Sequence, residues 1–179
     1  MLKEQYIQKY TYSDYLHWED DWELINGYPY AMSPSPLPEH QWIGSNIIFS
    51  FKQALKQNSQ YCNCNTLYEC DWVLSDDSVV KPDIMLVCGA YNKKEVIRSV
   101  PVLIIEIFSP STRLKDSNTK FNLYQQHGVK YYLMADPEKK SIEYFQLINN
   151  KYQEQKSIRN FELGNDCTIA ADLSGIFSE

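Results

Sequence analysis

Residues 101 to 110, PVLIIEIFSP, set a single carboxylate, Glu106, inside an apolar run of Val, Leu, Ile and Phe bounded by two prolines. The run is rich in β-branched residues and too short for a typical buried helix, so it reads as a core strand. Val102, Ile104 and Phe108 alternate with Leu103, Ile105 and Ile107, which makes both faces apolar. A strand of that kind is expected at the centre of a mixed or parallel sheet, covered on both sides. An isolated ionised carboxylate is strongly disfavoured in such a place, so Glu106 must be paired, protonated, metal-bound or aimed at a cleft.

The segments around this strand define a scaffold. TYSDYLHWEDD carries a short capped helix with Thr11 or Ser13 as the cap, and WELINGYPYAM a hairpin turned by Asn26-Gly27, with Glu23 just before the turn. After the proline-rich SPSPLP, Ile43, Ile47, Ile48, Phe51 and Leu55 recur at helical spacing and predict a helix from about Glu39 to Gln57. LYECDWVLSDDSVVKPDIMLVC predicts two strands around a polar turn at Ser75 to Ser78, the second opened by Pro82-Asp83. STRLKDSNTKFNLYQQHG predicts a helix capped by Asp116 or Ser117 and stopped by Gly128, with Lys120, Tyr124 and His127 on one face. VKYYLMADP is a further strand and SIEYFQLINNKYQEQKSI a hairpin around Asn149-Asn150. The order predicts an α/β fold, a mixed central sheet flanked by helices, with residues 1–179 forming one domain.

Composition narrows the function. The net charge of −6 gives no overall attraction to phosphate backbones, so a nucleic-acid site must be a local basic patch. No apolar stretch approaches the ~20 residues of a membrane span and the N-terminus lacks the apolar core of a signal peptide, so the expected compartment is the cytoplasm. Five cysteines, an odd number in a chain without an export signal, are read as thiols; the CNC at 62 to 64 lacks the spacing of common zinc sites.

Asp83 opens one apolar strand and Glu106 lies on the next. Adjacent strands can bring the two carboxylates to one edge, where oxygen donors with open positions suit Mg²⁺ or Mn²⁺. Such an ion generates a hydroxide nucleophile and offsets charge growing on phosphorus, and a nearby lysine orients the water or neutralises the transition state. Phe108 occupies the position two residues after Glu106, but Lys120 on the following helix can reach back. Arg113 and Lys115, in the polar stretch before that helix, are the leading basic contact for a phosphate, unless the stretch is simply a polar loop.

ELINGYPYAMSPSPLPEH, KPDIMLV, PVLIIEIFSPSTRLKDSNTKFNLYQQHGVKYYLMADP and DLSGIF together resemble the Uma-type restriction-endonuclease family of the PD-(D/E)XK nuclease superfamily, from about Tyr12 to Phe177. The resemblance implies a restriction-endonuclease-like core, with Asp83, Glu106 and the Ile107 carbonyl as metal ligands and Lys120 as a migrated catalytic lysine. It also implies a catalytic position for Glu23, to complete the metal shell or hold a second ion, and matches His40 to a family histidine. The expected activity is Mg²⁺- or Mn²⁺-dependent hydrolysis of phosphodiester bonds in nucleic acid, DNA rather than RNA, by a protein that can form a homodimer. The superfamily signature places a lysine two residues after the glutamate, and its absence here motivates a rival: a non-catalytic binding module on the same fold, with Glu106 in a buried ion pair with Lys120 or Arg113. The other readings of the remaining residues are ordinary ones: Asp83 as a loop cap, Glu23 as a cross-strand partner, His40 as a helix-start residue, and Tyr124 and His127 as packing.

Overall fold

The computed structural model describes residues 7–32, 37–109, 113, 115–164 and 166–178. Thr11 caps a one-turn helix, α1 (Tyr12–Tyr15), through a reciprocal capping box with Asp14. The strands β1 (Trp22–Ile25) and β2 (Tyr28–Ala31) follow as the expected hairpin. Asn26 and Gly27 both take positive φ, 53° and 83°, the conformation a two-residue turn between twisted strands requires.

The long helix α2 (Pro38–Gln57) starts on a proline, whose missing N–H costs nothing in a first turn. It buries Ile43, Ile47, Phe51 and Leu55 on one face, as their spacing predicts. Gly44, between them, lets the helix lie close to the sheet: a Cβ there would stand 3.2 Å from the Tyr68 ring and 3.4 Å from Ile107 Cδ1. Most of the SPSPLP loop, residues 33–36, lies outside the described residues.

Where two strands are expected between 67 and 88, the chain is divided further. β3 (Cys64–Tyr68) and β6 (Ile84–Cys88) pair with each other in a large sheet, whereas β4 (Trp72–Ser75) and β5 (Ser78–Val80) form a hairpin in a smaller one, ordered β2-β1-β5-β4. The break falls at Lys81-Pro82-Asp83, where proline, lacking an N–H for a ladder, lets the chain leave one sheet and enter the other.

β7 (Leu103–Ile107) is the predicted core strand, and all five of its residues are buried. The large sheet adds β8 (Tyr131–Asp136), β9 (Ser141–Ile148) and β10 (Lys151–Gln155) in the order β10-β9-β8-β7-β6-β3. Only β7 and β8 run parallel, so the sheet is mixed. One face packs Ile105 and Ile107 against α2, with Phe161 and Ile169 from the terminal hairpin β11 (Asn160–Gly164) and β12 (Cys167–Ala170). The other packs Ile104 and Phe108 against Tyr124, Trp72, Ile25 and Val80. Glu106, two residues from Ile104, belongs to this second side.

Between β7 and β8 the chain does not form a simple capped helix. Lys115–Lys120 winds as a π-helical segment that continues into α3 (Phe121–Gln126), and Asp116 is buried inside the segment instead of capping it. Gly128, at φ 81°, ends the helix as expected.

The cysteines correct the reading of the chain as five thiols. Cys62 pairs with Cys167 and Cys64 with Cys88, which leaves Cys70 as the free thiol, and it is exposed. The first bridge ties the segment after α2 to the terminal hairpin, and the second joins partners lying directly opposite in the β3–β6 ladder. Linear spacing could not show these pairs, because strand register sets Cys64 opposite Cys88 and the return of the terminal hairpin brings Cys167 to Cys62.

Candidate functional site

β6 and β7 run antiparallel with Ile84 opposite Ile105, so the residues next in register are Asp83 and Glu106. Both predicted acids therefore meet at one end of the two strands. Asp83 Oδ2 accepts from the Ile107 N–H at 2.7 Å, and Glu106 Oε2 accepts from the Asp83 N–H at 3.3 Å. These bonds tie the Asp83 side chain to the β7 backbone at Ile107 and the Glu106 side chain to the Asp83 backbone.

Lys120 reaches back as the sequence suggests. Its ammonium lies 3.0 Å from Glu106 Oε1, 2.8 Å from Glu23 Oε1 and 3.7 Å from Asp116 Oδ1, and only 2% of the residue is exposed. The π-helical winding places Lys120 at the junction with α3, one turn before Tyr124, whose hydroxyl donates to the same Glu106 oxygen at 2.7 Å. His127 does not join them: its ring packs edge-on against Trp72, with centroids 6.0 Å apart.

Glu23 enters from β1 in the small sheet and is fully buried. One of its oxygens, Oε1, takes the Lys120 ammonium and the Lys81 N–H at 2.9 Å; the other, Oε2, takes the Lys115 ammonium at 2.6 Å. Both oxygens are thus committed to protein donors, and Glu23 joins the small sheet to the π-helical segment through two lysines. Lys115 and Arg113, read from sequence as phosphate contacts, are each held by an acid, Arg113 by Asp136 at 2.8 Å. Residues 110–112 and 114 of that stretch lie outside the described residues.

Three carboxylates, Glu23, Glu106 and Asp116, share two ammonium groups in this buried centre. The imbalance sets the proton affinities. Burial drives the Glu23 carboxyl up, but Lys120 and Lys115 outweigh it and hold it below its ordinary value. Burial drives Glu106 up as well; Lys120 alone opposes, while Asp116, Asp83 and Glu23 add to the rise. Glu106 is therefore the acid of the centre that keeps its proton at neutral pH, pushed up to about 8. Lys120, despite burial, is held well above its usual range by Glu106, Glu23 and Asp116, so it stays an ammonium.

His40, in the first turn of α2, reaches Asp83 from the opposite side, with Nε2 3.2 Å from Oδ2. Burial lowers its proton affinity, yet Asp83, Glu69 and the Ile107 carbonyl raise it above the ordinary value overall. Its other nitrogen, Nδ1, is buried without a hydrogen-bond partner.

Asp83 and Glu106 are hard oxygen donors of the kind Mg²⁺ and Mn²⁺ prefer, and the proton that burial keeps on Glu106 is one a cation bound there would displace. Among the described residues no group of three or more His, Cys, Asp or Glu side chains is placed to hold a metal ion. An ion held by two carboxylates would draw the rest of its shell from waters and substrate phosphate, as Mg²⁺ commonly does.

A model of the Uma2 family, described as "Putative restriction endonuclease", matches residues 12–175. The chain belongs to the Uma2 family. The fold agrees with a crystal structure titled as a "putative nuclease belonging to DUF820" from Anabaena variabilis, at a TM-score of 0.70 and 16% identity, covering 94% of this chain and 97% of that one. No curated protein matches. Within this Uma2 chain, Lys115, Asp116 and Tyr124 were not singled out by sequence as members of the buried centre. Their only linear signal is the helical spacing of Asp116, Lys120 and Tyr124, which is equally the spacing of packing residues.

Proposed function

We propose that the protein is a divalent-metal-dependent nuclease that hydrolyses phosphodiester bonds, with DNA as the expected substrate and Mg²⁺ or Mn²⁺ as the ion. The observation that carries this reading is the convergence of Asp83 and Glu106 at adjacent strand ends, with a buried ammonium, Lys120, on the same Glu106 carboxylate. Asp83, Glu106 and the Ile107 carbonyl would hold the ion. When bound, the ion would supply a water of lowered pKa and stabilise charge on the phosphoryl oxygens.

The chain's own residues define the rest. Lys120 keeps its proton, so its part is to donate hydrogen bonds, orienting the attacking water or stabilising the transition state, and not to act as a base. Tyr124 and the Asp83 N–H fix the Glu106 carboxylate from two sides. Glu23 holds Lys120 in place. This assigns Glu23 a positioning role and favours it over the second-ion role that the family resemblance allowed. A homodimer, which would present two such sites, belongs to the same reading. No helix among the described residues is long and apolar enough to cross a membrane.

The test pairs binding with turnover. Mn²⁺ calorimetry on the native protein, Asp83→Asn and Glu106→Gln should show binding that both variants lose, and plasmid DNA should be cut only with the ion present. Lys120→Ala should keep the ion and lose cleavage. Cleavage that survives chelation, or survives Lys120→Ala, would overturn the mechanism. A non-catalytic module on the same fold predicts metal-independent nucleic-acid or protein binding and no cutting by any variant.

A further inference from the structure

We propose that the outward face of α2 is the surface on which a second copy of this chain docks, the two helices lying antiparallel across a two-fold axis. The inference takes the homodimer that belongs to the reading above and assigns it a surface; it does not depend on the metal chemistry.

The helix has two seams. Ile43, Ile47, Phe51 and Leu55 face the core, while Glu39, Trp42, Asn46, Phe49, Gln53 and Lys56 recur on the opposite side at alternating intervals of three and four. That is the spacing by which one helix packs along another. Trp42 and Phe49 stand on this outer seam 52% and 68% exposed. Large aromatic side chains are enriched where protein surfaces meet, because docking removes their apolar area from water.

Beside the seam lies an open groove of about 520 Å³, walled by Asn46, Ser50 and Gln53 on α2 and by Asp172 and Ile176 of the C-terminal segment. Its far wall is fixed to the helix: the Ser50 hydroxyl donates to the Asp172 carbonyl, and the Asn46 amide donates to the Ile176 carbonyl at 3.1 Å. The groove runs along the C-terminal half of α2, and Trp42 stands on the N-terminal half. An antiparallel second copy therefore brings its Trp42 to this groove and receives the first copy's Trp42 in its own. Such reciprocity, a projection and a recess on the same surface, is what an isologous contact requires.

Charge selects the same arrangement. Glu39 stands in the first turn of α2 and Lys56 in the last, and neither has an ion-pair partner among the described residues. Setting Trp42 opposite Gln53 of the second copy sets Glu39 opposite Lys56 and Asn46 opposite Phe49. Both ends of the contact then join opposite charges, and the helix dipoles lie antiparallel. A parallel pair would set Glu39 on Glu39 and Lys56 on Lys56. A nucleic-acid duplex on this face would meet Glu39 and Asp172 beside the lysines, a poor match for a phosphate backbone. His40, in the same first turn, points inward to Asp83, so a copy on the outer seam does not stand on the acidic pair.

The experiment is sedimentation equilibrium of the full chain over a range of concentrations, on native protein, Phe49→Glu, Lys56→Glu and the double reversal Glu39→Lys with Lys56→Glu. All three positions are exposed, so the variants are expected to fold, and circular dichroism checks it. Native protein should sediment at twice the 21.0 kDa chain mass. Phe49→Glu puts a charge in the middle of the contact and should weaken the dimer by roughly tenfold or more, as loss of an interface anchor does. Lys56→Glu sets a like charge against Glu39 and should also weaken it, and the double reversal should restore it. Native protein that stays monomeric at every concentration, or a dimer that Phe49→Glu leaves intact, overturns the proposal. A dimer weakened by Lys56→Glu and not restored by the double reversal overturns the antiparallel pairing. Mn²⁺ binding, on which the metal-dependent reading stands or falls, should be the same in native protein and all three variants.

Discussion

Glu23→Gln separates a lysine clamp from a metal ligand. Glu23 is fully buried and holds two ammonium groups, one on each oxygen, at 2.8 and 2.6 Å. Removing one partner of a buried ion pair typically costs about 3–5 kcal/mol, most of it from the charge left behind. Two features place this substitution at the lower end. Lys115 is partly exposed and can turn to water, and Lys120 keeps Glu106 at 3.0 Å and Asp116 at 3.7 Å. Loss of the Glu23 charge also eases Glu106, whose proton affinity Glu23 helps to raise. The expected cost is therefore about 2–3 kcal/mol. At about 2–4 °C per kcal/mol for a chain of this size, the melting temperature should drop by roughly 4–12 °C. Urea unfolding monitored by tryptophan fluorescence measures it. A double-mutant cycle with Lys115→Met should give a coupling of about 1 kcal/mol or more, as expected for groups in one network. A Glu23→Gln protein within about 0.5 kcal/mol of native stability, a change typical of featureless surface sites, that had lost Mn²⁺ binding would refute the clamp and restore Glu23 to the metal shell.

Tyr124→Phe removes one of the donors fixing Glu106 in a fully buried position, so it should cost about 1–3 kcal/mol in urea unfolding; no change would mean the 2.7 Å bond is absent in solution. Asp136 is held down to about 2, chiefly by its hydrogen bond to Arg113. Its folded value lies below the unfolded one, so its stabilisation is complete above about pH 5 and fades as pH falls from about 4 toward 2. Asp136→Asn should therefore cost about 1–2 kcal/mol at neutral pH, discounted for the partly exposed Arg113, and flatten the acid limb of the stability profile; an unchanged limb would show that the pair is not formed. In oxidised native protein, a thiol reagent should count one reactive cysteine, Cys70, and reduction should lower the urea midpoint. The Cys62–Cys167 bridge spans 105 positions, for which chain entropy sets an upper bound of about 4–5 kcal/mol, so five reactive thiols in freshly isolated folded protein would mean that the bridges do not form.

What the sequence could and could not show follows from the range of each signal. The helix α2, the core strand β7 and both asparagine turns were legible because periodicity and turn chemistry are local. The meeting of Asp83, Glu106 and Lys120 was legible as a constellation, because an acid in an apolar strand must find a partner nearby. Glu23 was placed on its hairpin, but nothing linear shows that its strand belongs to a second sheet lying over the π-helical segment. The division of residues 72–88 between two sheets was hidden for the same reason: Trp72, Val73, Val79 and Val80 read as strand residues whichever sheet they join. The disulfides depend on register and on the return of the terminal hairpin, both long-range. The π-helical turn has no sequence signature, yet it sets the orientation of Lys115, Asp116 and Lys120.

The charge buried at Glu106 is not explained by stability. An ion network of this kind can often be replaced by apolar side chains of similar volume without loss, and sometimes with a gain of about 1–4 kcal/mol, because desolvation cancels the attraction. A core whose sole task was to hold β7 would do as well with leucine at 106 and methionine at 120. What such a core could not do is present a carboxylate oxygen beside Asp83 at a strand end while a neighbouring ammonium stays protonated. The arrangement also leaves Glu106 short of positive charge, since Glu23 commits both its oxygens to lysines and to the Lys81 N–H. A centre built for stability would not keep beside Asp83 a carboxyl whose proton affinity burial and the neighbouring acids Asp116, Asp83 and Glu23 push up to about 8. That unfavourable burial is the physical reason to look for a metal there. It also predicts that the triple variant Glu23→Leu, Glu106→Leu, Lys120→Met would fold at least as stably as a single-charge deletion while losing any ion-dependent chemistry.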